Sequence, residues 1–393
     1  MSTPEMTLEE ARAYDKKRWL WPMGFGIVIL VGAATVVGWL YDITWMMFAG
    51  PIVVYGLVPL LDFIIGKDST NPPERVLDIL EDDPYYRRST YVFVVVQFLF
   101  TIGAAGIIGL GGLSFVQALG VTLTLGMLSG IAINTAHELG HKNTKLESWL
   151  AKIALAPVAY GHFYVEHNYG HHANVATPED PASARMGESF WTFLWRTMGG
   201  SAKSAVRVET ARLKRKGRGF WTWRNELLQS WGMSVVFFVG LTALFGWKVL
   251  PFLIVQAFIG ASLLESVNYC EHYGLLRKKR DNGRYERCRP EHSWNNDHIV
   301  TNIFLFHLQR HSDHHAHPTR RYQSLRHFDE APELPTGYAG MIVLSYFPPL
   351  WRKVMDKRVV AHYDGDIRQA NLQPSKKAKL LAKYPPPNAA ATA

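Results

Sequence analysis

Six apolar runs of about 20 residues constrain this chain most. A backbone surrounded by lipid must bond its own N–H and C=O groups, and a single segment does so only as a helix. The runs lie at 19–40, 43–65, 91–113, 114–136, 228–245 and 249–270. They predict an all-α integral membrane protein, with six transmembrane helices in three hairpins and a cytoplasmic helical cap. Mean hydropathy near zero (−0.04) conceals this, because very apolar and very polar stretches cancel. Trp19, Trp21, Trp39, Tyr41, Trp45 and Tyr91 fall near span ends, as interfacial aromatic belts require. The run GAAGIIGLGG at 103–112 lies inside a span, where small residues serve helix packing rather than phosphate binding.

Charge orients the spans. Of the 42 Lys and Arg, only Lys248 falls in the turns near Asp42, Gly112 and Trp247. The remainder mark the opposite side, with both termini, as cytoplasmic. The formal net charge of +9 follows from those flanking residues and does not require nucleic acid as a partner. The basic, Trp-bearing run RLKRKGRGFWTWR at 212–224 adjoins a span and reads as an anchor to anionic membrane lipids. No secretory h-region or cleavage site precedes the first run, which is expected to stay as an anchor. Residues 1–355 read as one membrane-embedded domain, and 356–393 as a charged, Pro/Ala-rich tail whose last stretch, KYPPPNAAATA, is expected to be disordered.

Histidines carry the chemistry. HLQRHSDHHAH at 307–317 places His311, His314 and His315 at i, i+3 and i+4, where helical imidazoles can converge on a common point. His137 and His141 in HELGHK, and His167, His171 and His172 in EHNYGHH, repeat the pattern. Neutral imidazoles ligate iron, zinc, copper or nickel. HELGH also matches the zinc-protease pattern H-E-x-x-H, with Glu138 as general base, but eight clustered histidines exceed the needs of one zinc. Glu138 with His141 also reads as one half of a carboxylate di-iron motif, yet no second copy occurs. The nearly all-nitrogen set suits two metals with open positions for oxygen.

Glu265 lies inside the sixth run, where an unpaired carboxylate is costly, and is a candidate to accept a proton from a ligand imidazole. Glu138, Glu166, Glu271 and Asp313 adjoin the histidines and are candidates for the same task; His307, four residues before His311, is another. His162, His292, His298 and His317 read as satisfied histidines beside the site. The second basic run, 276–289, offers Arg277, Lys278, Lys279, Arg280 and Arg284 either as a solvated face or as a docking surface for an acidic redox partner. Cys270 and Cys288 form no CxxC pair, so the chain carries no rubredoxin-type iron site of its own.

HELGHK, EHNYGHHANVATPEDPASAR, NYCEHYGL and LQRHSDHHAHP resemble the signature segments of membrane-bound alkane 1-monooxygenases, the AlkB-type alkane hydroxylases of the histidine-box desaturase/hydroxylase superfamily. The similarity runs from about 15 to 350. It implies nine ligands, adding His272 to His137, His141, His167, His171, His172, His311, His314 and His315. It further implies two Fe ions, O2 as co-substrate, a medium-chain n-alkane hydroxylated at its terminus, and electrons from rubredoxin and its NAD(P)H-dependent reductase. The implied location is the bacterial inner membrane, with the active site facing the cytoplasm. The expected substrate groove runs among spans one to four and ends beneath the histidines. A fatty-acyl desaturase or hydroxylase is the nearest alternative; a zinc metalloprotease, a metal transporter and a lipid-binding scaffold are alternatives of other classes.

Overall fold

The computed structural model describes residues 6–387. Among them it is all-helical, with only isolated bridges and no strand. Six helices are long and apolar enough to cross a membrane: Arg18–Leu40, Thr44–Ile65, Pro84–Leu110, Phe115–Gly140, Glu226–Phe245 and Val249–His272. The chain is thus a multi-pass membrane protein. Its turns use Asp42, Gly112 and Gly246 at φ 57°, 63° and 92°, a left-handed conformation that ends a helix abruptly.

Two spans depart from the sequence reading. The third begins at Pro84 rather than 91, because the Asp83 carboxylate caps Tyr85 N (2.9 Å) and Pro84 suits the first helical position. The fourth starts after the Ser114–Gln117 capping box and runs on to Gly140 instead of stopping at 136. That extra turn carries His137 on a rigid helix.

The fourth and sixth spans lie parallel in close contact: Gly126 faces Ile259, and Gly130 faces Leu263 and Gly260. A Cβ on Gly130 would stand 2.9 Å from the Gly260 carbonyl oxygen, and one on Gly260 3.1 Å from that of Gly126. Only hydrogens fit there. Of the glycine run at 103–112, Gly109 meets Phe245 of the fifth span, while Gly103 has no close neighbour. Ser129 Oγ donates to Gln256 Oε1 (2.9 Å) along the fourth–sixth seam.

The remaining helices gather around the C-terminal ends of those two spans. Lys145–Leu155, His162–Glu166 and Phe190–Arg215 follow the fourth; Ile299–Phe304, His311–Ala316, Tyr338–Ser345 and Pro348–His362 follow the sixth. Past residue 355 the chain continues into the packed core, and of KYPPPNAAATA only 383–387 are among the described residues. Met355, Val359, Ile367, Ala370 and Leu380 are buried in the core formed with Tyr269, Tyr273 and Trp351. Their apolar side chains recur at intervals hidden by the charged residues between them; positions 388–393 lie outside the described residues.

Gly260→Leu would overfill the seam and should destabilise the protein by about 1–3 kcal/mol. A lowered melting temperature in detergent, with reduced metal retention, is the expected readout; unchanged melting would refute the close contact.

Candidate metal centre

All nine histidines meet, in two groups. His137, His141, His167, His172 and His314 form one, and His171, His272, His311 and His315 the other; within each, one nitrogen per ring lies within 4.8 Å of the rest. The expectation that His311, His314 and His315 share a point is thereby corrected. His311 and His315, one turn apart, face the second group, whereas His314 is rotated to the first. A related division splits EHNYGHH. His167–His171 forms a π-turn closed by His172 N–H to His167 O, which brings residues five apart onto one face. His172 Nε2 therefore stands 3.1 Å from His167 Nε2, while His171 points to the other group.

The groups suit bound metal. Nitrogens at right angles around one ion, each about 2.1 Å from it, stand about 3.0 Å apart. His137 and His314 Nε2 are 2.9 Å apart, His172 and His314 Nε2 3.1 Å, and His311 and His315 Nε2 2.9 Å. His141 Nε2, His171 Nε2 and both His272 nitrogens are buried without a hydrogen-bond partner, a cost that an ion taking one lone pair from each ring would reduce. Burial holds His141, His167, His172, His311, His314 and His315 well below the usual imidazole range, so they are neutral and ready to ligate.

His171 is the exception. Burial works downward on it as well, but the Asp180 carboxylate, 3.0 Å from Nδ1, outweighs that and raises it. Asp180 fixes the proton on Nδ1 and leaves Nε2 free toward the second group. Nothing in the local spacing marks Asp180, nine residues past His171 in a loop. Ser183 Oγ (2.6 Å) and Ala182 N (3.0 Å) hold its carboxylate in place.

The other acidic candidates divide. Glu271 Oε2 lies 3.2 Å from His311 Nε2, with its other oxygen accepting from Tyr338 OH (2.9 Å). Glu138 turns away to Lys142 (3.1 Å) and Tyr322 N (3.3 Å), so it is no general base beside a zinc. Glu265 touches no ligand ring: Tyr160 OH (2.7 Å), Thr197 Oγ1 (3.0 Å) and Asn268 Nδ2 (3.1 Å) saturate it. Asp313 is held by His317, Arg320 and the Arg326 backbone N–H. Glu166 borders a small polar chamber behind His167 and His171, where burial pushes it up to about 8. His307 joins neither group; its Nδ1–H donates to Tyr322 O (2.8 Å). For Glu138 and Asp313 the cause is that helix neighbours in sequence point to different faces.

The apolar cavity also differs from expectation. It lies among the second, fourth and sixth spans rather than spans one to four, lined by Val54, Val58, Ile131, Leu263, Val267, Phe304, Leu308 and Ile342. Asn134, one turn before His137, and Thr301 are its polar members. Asn134 Nδ2 already donates to Leu305 O (2.6 Å), and Thr301 Oγ1 to Asp62. Of the basic run, Lys278, Lys279, Arg280 and Arg284 are exposed, but Arg277 is buried, donating to Glu286 O (3.1 Å) and Ala173 O (2.8 Å).

Two outcomes follow from these contacts. Asp180→Asn should lower metal affinity about 10–100-fold, measured by competition with a chelator; unchanged affinity would exclude the orienting role. Metal-free protein should also lose stability as pH falls below about 6.5, because the unfolded chain takes up protons that the six depressed imidazoles refuse. His171 and Glu166, raised in the fold, act in the opposite sense but are two groups against six. A melting temperature constant between pH 7.5 and 5.5 would contradict this.

Residues 113–345 match the fatty acid desaturase family. The chain is 50% identical to the alkane 1-monooxygenase of Acinetobacter baylyi over 377 residues, covering 95% of this chain and 92% of that protein. It is 46% identical to alkane 1-monooxygenase 1 of Alcanivorax borkumensis over 94% of this chain and 92% of that one, and 45% identical to the alkane 1-monooxygenase of Pseudomonas putida over 98% and 96%. With its histidines gathered in two groups beside an apolar cavity, the chain belongs to the AlkB-type alkane 1-monooxygenases of the fatty acid desaturase superfamily.

Proposed function

We propose that this protein hydroxylates the terminal carbon of medium-chain n-alkanes with O2, using iron at both histidine groups and electrons delivered by rubredoxin from an NAD(P)H-dependent reductase. The carrying observation is the cavity. Its lining is apolar apart from Asn134 and Thr301, each of which donates to an acceptor of the protein, Leu305 O and Asp62. An alkane needs no polar partner, and burial of its chain contributes roughly 0.8 kcal/mol per CH2. A fatty-acyl substrate would need a partner for its headgroup.

His137, His141, His167, His172 and His314 would hold one iron, and His171, His272, His311 and His315 the other. When bound, the irons would activate O2 so that one oxygen atom enters a terminal C–H bond and the other leaves as water, consuming two electrons and two protons. The residues of this chain perform the rest. Asp180 keeps the His171 proton on Nδ1, and Glu271 lies against His311. The cavity walls exclude water and align the alkyl chain so that its end, not its middle, meets the histidines.

Lys278, Lys279, Arg280 and Arg284 form an exposed basic loop suited to an acidic electron carrier. Arg277 ties that loop to Ala173, the residue after His172. The positive-inside distribution supports a cytoplasmic site in the bacterial inner membrane. Residues 1–355 act as one catalytic unit in this reading.

Cells expressing the protein with rubredoxin and its reductase, fed mixed n-alkanes and fatty acids under 18O2, provide the test. Labelled 1-alkanols by gas chromatography–mass spectrometry, absent with His171→Ala, are expected, together with about two irons per chain. Oxidised fatty acids alone would move the protein to the acyl branch, and zinc in place of iron would remove the oxygenase reading. Val58→Phe or Ile342→Phe should shift the product toward shorter alkanols; an unmoved chain-length profile would refute the cavity as the alkane site.

A further inference from the structure

The turn that joins the helix Phe190–Arg215 to the fifth span holds two tryptophans almost clear of the protein: Trp221 is 86% and Trp223 76% exposed. Two indole rings left out side by side mark a surface that something else covers. Their backbone is firmly fixed. Gly217, at φ 66°, ends the helix, with Gly217 N–H donating to Lys214 O and Arg218 N–H to Leu213 O (3.0 Å each). Asn225 Nδ2 donates to Phe220 O (2.9 Å) while Asn225 Oδ1 caps Leu227 N (2.9 Å) at the head of the fifth span, and Gln229 Nε2 donates to Trp223 O (2.7 Å). A turn fastened in this way presents both rings outward with little left to order on binding.

The charge beside them has one sign. Glu209 and Glu226, the carboxylates of residues 201–230, are both taken by Arg212, at 2.6 and 3.3 Å. Lys214, Arg215, Lys216, Arg218 and Arg224 have no carboxylate within ion-pair distance among the described residues, and all but the half-buried Arg218 are exposed. Arg224 lies over the Trp223 ring, 4.8 Å from its centre. A helix C-terminus by itself disfavours anions. Here the turn's own N–H groups occupy the carbonyls of Leu213 and Lys214, and whole side-chain charges exceed the half-charge of the helix dipole.

Depth identifies the partner. From Leu228 to Phe245 the fifth span covers about 27 Å at 1.5 Å per residue, close to the thickness of the hydrocarbon layer, so Trp221 and Trp223, just ahead of Glu226, stand at the level of the lipid headgroups. Trp195, on the helix that leads into the turn, stacks on Phe258 of the sixth span (5.6 Å) and is itself exposed, so that helix also borders lipid. We propose that this turn binds an anionic phospholipid, its phosphate drawn by Lys214, Arg215, Lys216 and Arg218 and its glycerol and upper acyl segments against Trp221, Trp223 and Leu228, which line one shallow cleft. A soluble acidic protein would answer the cations but would not reach rings set at the acyl boundary. The site goes beyond the hydroxylation reading and does not depend on it.

Metal-loaded protein in vesicles of phosphatidylglycerol and phosphatidylcholine in equal parts, with bromine near the head of the acyl chains of one lipid or the other, provides the test. The fluorescence of the two rings is the difference between wild type and Trp221→Phe/Trp223→Phe, at exposed positions where phenylalanine leaves the fold intact. Brominated phosphatidylglycerol should quench that difference about fivefold more than brominated phosphatidylcholine, the enrichment that a single cation at the membrane surface provides. Lys214→Gln/Lys216→Gln/Arg218→Gln should bring the ratio toward one at unchanged metal content. Equal quenching by the two lipids in wild type, or a ratio unmoved in the triple variant, would overturn the proposal. So would the absence of quenching by either lipid, which would place the turn in water and leave its cations to an acidic protein.

Discussion

Backbone contact between the fourth and sixth spans underlies the placement of the histidines. Gly126, Gly130 and Gly260 let the two helices approach until their backbone atoms touch, with their C-terminal ends pointing the same way. His137 and His141 then emerge beside His272, and the segments that follow each span supply the other imidazoles. Between helices in lipid, apolar side chains gain little from burial, since lipid tails are as apolar as leucine. Close packing of small residues supplies the attraction instead.

Around that seam the polar groups are held in matched sets. Glu265 inside the sixth span accepts from a tyrosine, a threonine and an asparagine, and Asp62 inside the second accepts from Thr301. Each set ties a span to a segment outside it: Glu265 reaches Tyr160 and Thr197, and Asp62 reaches the helix Ile299–Phe304 that leads to His311. A buried carboxylate without such partners would be strongly destabilising. Glu265 is therefore a structural tie. Asp180 follows the same logic in direct contact with the His171 ring.

The site has two different surroundings. His167 and His171 border a polar chamber containing Tyr160, His162 and Glu166, whereas Asn134 and Val267, each a turn or so before a ligand, border the apolar cavity. A water-lined cavity would not discriminate in favour of a hydrocarbon.

The sequence determined the membrane class and the identity of the chemistry-bearing residues. Apolar runs long enough to span lipid admit only helices, and three histidine boxes are visible as spacing; His272, a lone histidine, needed the resemblance. Tertiary structure decided what spacing leaves open. His314 separates from His311 and His315 because i+3 falls short of a full helical turn while i+4 lies closer to the face of i, and a π-turn pairs His167 with His172. Asp180 and Tyr338 reach His171 and Glu271 across loops that no periodicity encodes. Glu138 and Asp313 sit beside histidines in sequence yet bond to Lys142 and to Arg320, because adjacent residues on a helix face different directions. Local pattern reports which side chains are available; only the packing of distant segments fixes where each one points.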